Sequence, residues 1–401
     1  MQSHTILALR RSVFVLATIL AAAASQTLAA EPKPDANQDV LADARKAVDR
    51  GLKFLAATQQ PDGGWESFGQ TDPAITALAV QGFLQHPDYG PQHPICKRAL
   101  TFITRSARDD GGIYVDGIDL RNYYTSVALM ALSAARDPAL EPLIRKAQEF
   151  LTRLQWDEEE SYDRSHTWYG GAGYGQSKRP DLSNTQLMLE ALHQSGLPAS
   201  HPAYQKALVF VQRCQMHSGS NDQPFAAQAR DGGFIYTCAN DGESKAGTIV
   251  VDGKPQLRSY GSMTYAGFKS MLYAAVDRKD PRVQAAFDWI RRNYTLECNP
   301  NLSDTGSTEG LYYYYHVFAR ALLAWGEETI VDAGGRPHRW REDLCRALIA
   351  RQRDDGSWVN PADRWYEGNP NLVTAYAILA LQTALPEAPP NVQSRTTQPA
   401  P

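Results

Sequence analysis

The chain has 401 residues, 43% hydrophobic and 21% charged. That is ample material for a core and excludes disorder, collagen or a coiled coil as a description of the whole. Forty Lys and Arg stand against 44 Asp and Glu, a net charge of −4, so no basic field recruits nucleic acid or an anionic membrane surface.

In chain order, residues 1–30 read as a secretory signal. Arg10 and Arg11 supply the positive start, and Val13 to Ala24 is apolar but short for a membrane span. Ala24, Ala29 and Ala30 suit cleavage. The rival reading, an uncleaved anchor, meets the polar, Pro-broken flank Glu31-Pro32-Lys33-Pro34. The expectation is an exported protein, periplasmic or extracellular, with no transmembrane span after cleavage. Residues 31–39 are then a linker, 40–385 the folded body, and 386–401, rich in Pro, Gln and Thr, a disordered tail. Cys96, Cys214, Cys238, Cys298 and Cys345 form no C-x-x-C pair and read as small core residues, with a Cys214–Cys238 bridge left open by export.

The body repeats. A small residue followed by an aromatic at +3 and an aliphatic at +4 recurs at Gly51, Ala99, Ala147, Ala207 and Ala286, with a weaker copy at Leu344 to Ile349. Each copy is amphipathic at helical spacing, with Arg and Lys on the other face. Pro94, Pro142, Pro202 and Pro281 sit where a first helical turn tolerates a missing N–H. These are expected to be outer helices. Four Gly-rich turns follow outer helices, at 61–65, 109–113, 231–234 and 354–358. None has G-K-[ST] or a preceding strand, so no phosphate or cofactor site is expected. A second, more apolar set of helices begins near Thr76, Thr125, Thr185, Thr264 and Thr374, with the fifth running through Tyr315 to Phe318. Helices apolar nearly all round must be buried. Six outer and six inner helices imply an all-α fold, a closed two-layer α/α barrel of six hairpins, in preference to an open solenoid.

The turns Gln59-Gln60-Pro61-Asp62-Gly63-Gly64-Trp65 and Gln352-Arg353-Asp354-Asp355-Gly356-Ser357-Trp358 resemble the QW repeats of squalene–hopene cyclases and protein prenyltransferase β subunits. The resemblance covers most of residues 40–385 and implies an α/α toroid. It is specific for the fold and weak for the chemistry. The cyclases' D-x-D-D-T-A acid motif has its nearest counterpart in Asp181-Leu182-Ser183-Asn184-Thr185, where Ser183 stands in place of the proton donor. Asp181 reads either as an acid or as a helix cap. The prenyltransferases' zinc ligands are an Asp, a Cys and a His. Tyr315-His316-Val317 resembles the His segment, but Ser259 to Thr264 carries neither other ligand, so no metal is expected. No cysteine is followed by Gly-Glu-Gln, which excludes the thioester chemistry of related domains.

The remaining chemistry gathers in Glu309-Gly310-Leu311-Tyr312-Tyr313-Tyr314-Tyr315-His316. Four consecutive tyrosines cover every face of a helix, so at least one meets the axis. Tyr124, Tyr260 and Tyr376 lie at comparable inner-helix positions, and Trp168 and Tyr174 lie in the loop before the third. Together with Tyr312, Tyr314 and Tyr315 they are the candidate ligand-binding residues. Asp181, His316 and Glu309 are the candidate acid–base groups. The expected partner is an apolar, isoprenoid-like small molecule in a central aromatic cavity. Two other readings stay open. One is a glycan-binding or glycan-cleaving barrel using rim acids such as Asp72, Asp119, Asp181, Glu309 and Glu367. The other is a non-catalytic interaction scaffold.

Overall fold

In a computed structural model the protein is described over residues 36–175 and 179–386. The expected signal segment 1–30 and nearly all of the expected tail lie outside the described residues. Six outer helices are α1 (Ala36–Thr58), α3 (Pro94–Arg105), α5 (Glu141–Arg153), α7 (Pro202–Arg213), α9 (Pro281–Arg292) and α11 (Trp340–Ile349). Six inner helices are α2 (Pro73–Leu84), α4 (Arg121–Ala135), α6 (Leu182–Gln194), α8 (Gly261–Tyr273), α10 (Leu311–Trp325) and α12 (Pro370–Ala384). Each inner helix packs on the next, and α12 returns to pack on α2. The barrel is therefore closed. α1 opens at Ala36, inside the segment read as a linker.

The two rings differ as the composition requires. Pro94, Pro142, Pro202 and Pro281 do sit in the first turns of α3, α5, α7 and α9. Those helices bury one stripe, such as Cys96, Ala99, Leu100 and Ile103 on α3. In α2, by contrast, Pro73 through Phe83 are all buried. Three short antiparallel hairpins decorate the long connections: β1 (Trp65–Ser67) with β2 (Gln70–Asp72), β3 (Thr248–Val251) with β4 (Lys254–Leu257), and β5 (Thr329–Val331) with β6 (Pro337–Arg339). The helical repeat gave no sign of them. All five cysteines are free thiols.

The turns are the fasteners of the ring. Gly63, Gly111, Gly170, Gly232 and Gly356 all hold positive φ, between 79° and 97°. A Cβ at each would press into a backbone carbonyl of the next outer helix: Arg98, Lys146, Lys206, Ala285 and Arg50 respectively. Only glycine meets both demands. In four turns a glutamine stitches the same seam. Gln59, Gln155, Gln215 and Gln352 each donate to a carbonyl of their own turn and to one of the next outer helix, Ile95, Ala203 and Arg282 in a first turn and Ala47 midway along α1. Gln352 reaches α1, so the last repeat is sewn to the first. The inner-helix threonines close the other side: Thr76, Thr125, Thr185, Thr264 and Thr374 accept the N–H of Trp65, Ile113, Ala172, Phe234 and Trp358 at 3.0–3.1 Å. The turn at Gly170 lies between Trp168 and Tyr174, in the loop selected from the sequence for its aromatics. It is the fifth fastener, and Gln155 with Thr185 was the signal for it.

Candidate functional site

Inner helices that start at one end of a barrel deliver their first turns to the axis there. A cavity of about 500 Å³ occupies that end. Helical periodicity explains its wall. Tyr123, Val127 and Met130 descend one face of α4, Ser183, Gln186 and Leu187 one face of α6, and Tyr313 and His316 one face of α10. Leu78, Met263, Leu372 and Tyr376 complete an apolar, tyrosine-rich lining. Trp365 and Tyr366, both at positive φ and 41% and 60% exposed, stand at the mouth.

The tyrosine run divides by helical phase. Tyr313 faces the axis, where its hydroxyl lies 3.0 Å from Ser183 Oγ and accepts from Gln186 Nε2 at 3.2 Å. Tyr314 donates to the carbonyl of Thr295 at 2.9 Å, and Tyr315 donates to that of Leu296. Tyr312 packs edge-on against Tyr315. Tyr314 and Tyr315 therefore tie α10 to the segment after α9, and none of the three lines the cavity. Tyr314 stands at the register the threonines hold in the other inner helices. Of the other candidates, Tyr174, Tyr260 and Tyr376 line the cavity. Tyr124 does not; its hydroxyl donates to Asp72 at 2.9 Å. Trp168 stacks on Tyr162 and packs edge-on against Trp156, away from the cavity lining. Tyr123, Tyr236, Tyr313 and Tyr366 also line it, outside the set selected from the sequence.

The three acid–base candidates fall apart in space. Asp181 caps α6: its Oδ1 accepts the N–H of Asn184 at 2.9 Å, and the Asn184 carboxamide bridges both carboxylate oxygens. It stands behind the lining residues Asn184 and Tyr236, the latter hydrogen-bonded to it. Burial pushes its carboxyl up to about 6, against those donors and Arg179. Glu309 pairs with Arg364 at 2.9 Å and is absent from the lining. His316 does line the cavity. Burial, aided by Arg320 and Lys269, drops its pKa to about 3 although Glu190 pulls the other way, so the ring is neutral.

Beneath His316 lies a buried ion cluster absent from the sequence reading. Glu190 on α6 pairs with Lys269 on α8, both essentially without solvent exposure. Arg320 Nε lies 3.4 Å from Glu190 Oε1, an ion-pair distance without hydrogen-bond geometry. Burial alone would raise the Glu190 carboxyl, but Lys269 and Arg320 bring it down to about 2. Glu367 is the other acid of note. It lines the cavity, accepts the Tyr313 N–H at 2.8 Å and the Asn360 amide at 2.6 Å, and is pushed by burial up to about 7. It serves the open N-terminus of α10 from a loop more than fifty residues away. At the mouth Lys245 and Arg179 share Glu243. Among the described residues no group of three or more His, Cys, Asp or Glu is placed to hold a metal, and no helix is long and apolar enough to cross a membrane.

No family model matches the sequence. A probable squalene–hopene cyclase of Sinorhizobium fredii is 25% identical over 199 residues, covering 44% of this chain and 30% of that protein. A drimenyl diphosphate synthase of Streptantibioticus cattleyicolor is 26% identical over 186 residues, covering 44% and 32%. The chain thus spans about a third of the length of the curated relatives it matches. Among solved structures, a single-site variant of the type II terpene cyclase MstE from Scytonema, in complex with the product merosterolic acid A, shares the fold at a TM-score of 0.52 and 16% identity, over 88% of this chain and 99% of that one. The GH76A α-1,6-mannanase of Salegentibacter sp. HEL1_6 shares it at 0.52 and 9% identity, over 86% and 99%. A fold held in common by a cyclase and a glycosidase does not choose between their reactions. By its sequence similarity and its closed ring of six hairpins, the chain is a terpenoid-cyclase-like α/α toroid.

Proposed function

We propose that the protein binds an isoprenoid-class molecule in the axial cavity. The carrying observation is the wall itself. Leu78, Val127, Met130, Leu187, Met263 and Leu372 alternate with Tyr123, Tyr260, Tyr313 and Tyr376 around a space of about 500 Å³. That volume falls within the roughly 300–1,000 Å³ of small-molecule sites, and such a lining suits a branched hydrocarbon chain. The cyclase-like relatives support the same ligand class. A glycan needs a polar groove with two carboxylates facing one another. Among the described lining residues the carboxylates are Asp119 and Glu367, and Glu367 is held by the N-terminus of α10.

Cyclisation by alkene protonation requires an acid delivered into the cavity. The position that matches the cyclase donor is Ser183, which lines the cavity but cannot serve as that acid. Asp181 and Glu367, at about 6 and about 7, are the carboxyls beside the cavity that hold protons closest to neutrality. Binding is therefore the function proposed, and transformation is not part of it.

The test is equilibrium binding of geranylgeraniol to the purified protein. Leu187→Trp, which fills the space from α6, should abolish binding while the far-ultraviolet dichroism stays unchanged. Binding that survives the filled cavity, or none in the wild type, would overturn the proposal.

A further inference from the structure

The inner end of the cavity carries more hydrogen-bonding capacity than the protein itself uses. Tyr313 on α10 meets Ser183 and Gln186 on α6, so a polar strut runs between two inner helices that have α8 between them. Gln186 Oε1 and His316 Nδ1 have no partner, although the two residues are only 1% and 5% exposed. All four side chains line the cavity. Buried polar atoms are ordinarily paired, and a pair left open on one wall calls for an explanation. Turning the Gln186 amide over exchanges its oxygen for its nitrogen and still leaves one polar group open.

The wall that includes Leu78, Val127, Met130 and Leu187, with Tyr376 packed against Tyr313 and His316, gives neither atom a partner. A hydroxyl is both donor and acceptor, so it can give its proton to Gln186 Oε1 while accepting from a second group. A carbonyl can accept from the Ser183 or Tyr313 hydroxyl, or from His316 if its proton sits on Nδ1. The belt carries no charge: three members are neutral by nature, and His316 is held neutral by burial with Arg320 and Lys269 nearby. The cations beneath it are engaged with Glu190. Lys245, the cation that lines the cavity, lies in the long connection before α8 and is held by Glu243.

We infer that the belt of Ser183, Gln186, Tyr313 and His316 receives a neutral oxygen function, hydroxyl or carbonyl, on the isoprenoid-class ligand. The ligand is then an oxygenated isoprenoid and not a plain hydrocarbon. The inference rests on the binding function proposed above and narrows its ligand class.

The experiment titrates the full chain with three probes of one chain length: geranylgeraniol, the C20 hydrocarbon lacking only the hydroxyl, and geranylgeranyl diphosphate. The alcohol should bind at least about tenfold more tightly than the hydrocarbon, because leaving polar groups unpaired penalises the analogue without oxygen. Gln186→Leu and His316→Phe should each bring that ratio towards one while hydrocarbon affinity is kept or improved. Retained hydrocarbon binding also shows that the variants are folded. Equal affinity for alcohol and hydrocarbon in the wild type would overturn the inference and leave the binding function standing. A preference for the diphosphate over the alcohol would overturn it in favour of a charged head at Lys245. Binding of none of the three would bring down the binding function itself.

Discussion

The ring of turns and the axial wall are built on opposite plans. The turns repeat one solution five times: a positive-φ glycine against the neighbouring carbonyl, and a threonine under the following N–H. The wall repeats nothing. At matching depths α4 offers Val127, α6 offers Gln186 and Leu187, and α10 offers His316. Positions that copy around a ring answer to the ring's geometry. Positions that differ are free to answer to a ligand. The fifth hairpin shows both plans in one helix, because Tyr314 takes the threonine's place towards the outer layer while Tyr313, one residue earlier, faces the axis.

The largest expected effect breaks the axis by charge. Lys269→Met leaves Glu190 buried with only the neutral Gln194 amide and the poorly aligned Arg320, and stranding one member of a buried pair costs about 3–5 kcal/mol. Urea unfolding should show that loss, and adding Glu190→Gln should recover most of it, since no carboxylate is then left without its partner. A loss below about 1 kcal/mol, the range of exposed pairs, would mean that the cluster does not hold α6 to α8.

The next effect breaks the ring by geometry alone. Gly170→Ala puts a Cβ 1.8 Å from the Lys206 carbonyl oxygen at φ 81°. Gly69, at φ 77° in the β1–β2 turn, has nothing within 4 Å of the same addition. Gly69→Ala should therefore report the backbone term alone, about 1 kcal/mol, and Gly170→Ala that term plus overpacking, about 3 kcal/mol in all. Equal losses would show that the turns tolerate displacement of the next outer helix, and the fasteners would lose their meaning.

The same contrast explains what could be read beforehand. The hairpins and their closure were legible because five outer helices repeat an aromatic and five inner helices a threonine, so many copies of a weak signal added up. The Gly170 turn was the copy hidden by its aromatic neighbours, Trp168 and Tyr169. The site was legible only in composition. A run of four tyrosines says that one faces the axis, but successive residues on a helix are turned by about 100°, so choosing the one needs the phase. His316 offered a phase marker, for Tyr313 precedes it by three residues and shares its face. The cap of α10 by Glu367 and the pairing of Glu190 with Lys269 join distant segments, and no local pattern announces either.

The smallest effect is a slope in pH, and it asks whether the wall is as dry as its lining suggests. His316 sits in the folded protein with its pKa lowered to about 3, first by burial and then by Arg320 and Lys269. In the unfolded chain an imidazole titrates near 6.5. Between those values the unfolded state binds a proton that the folded state refuses, so stability falls as pH drops from about 6.5 towards 3. Above about 7 the residue is neutral in both states and contributes no slope. His316→Phe removes the titration and the unpartnered Nδ1 together. The variant's stability relative to wild type should therefore be flat from pH 7 to 9. Below pH 6.5 it should gain on the wild type by up to about 1.4 kcal/mol per pH unit, the value for one proton. Parallel curves throughout would mean that the His316 ring takes up its proton in the folded protein as readily as in water. The floor of the cavity would then be wet, and the neutral belt above the ion cluster would lose its basis.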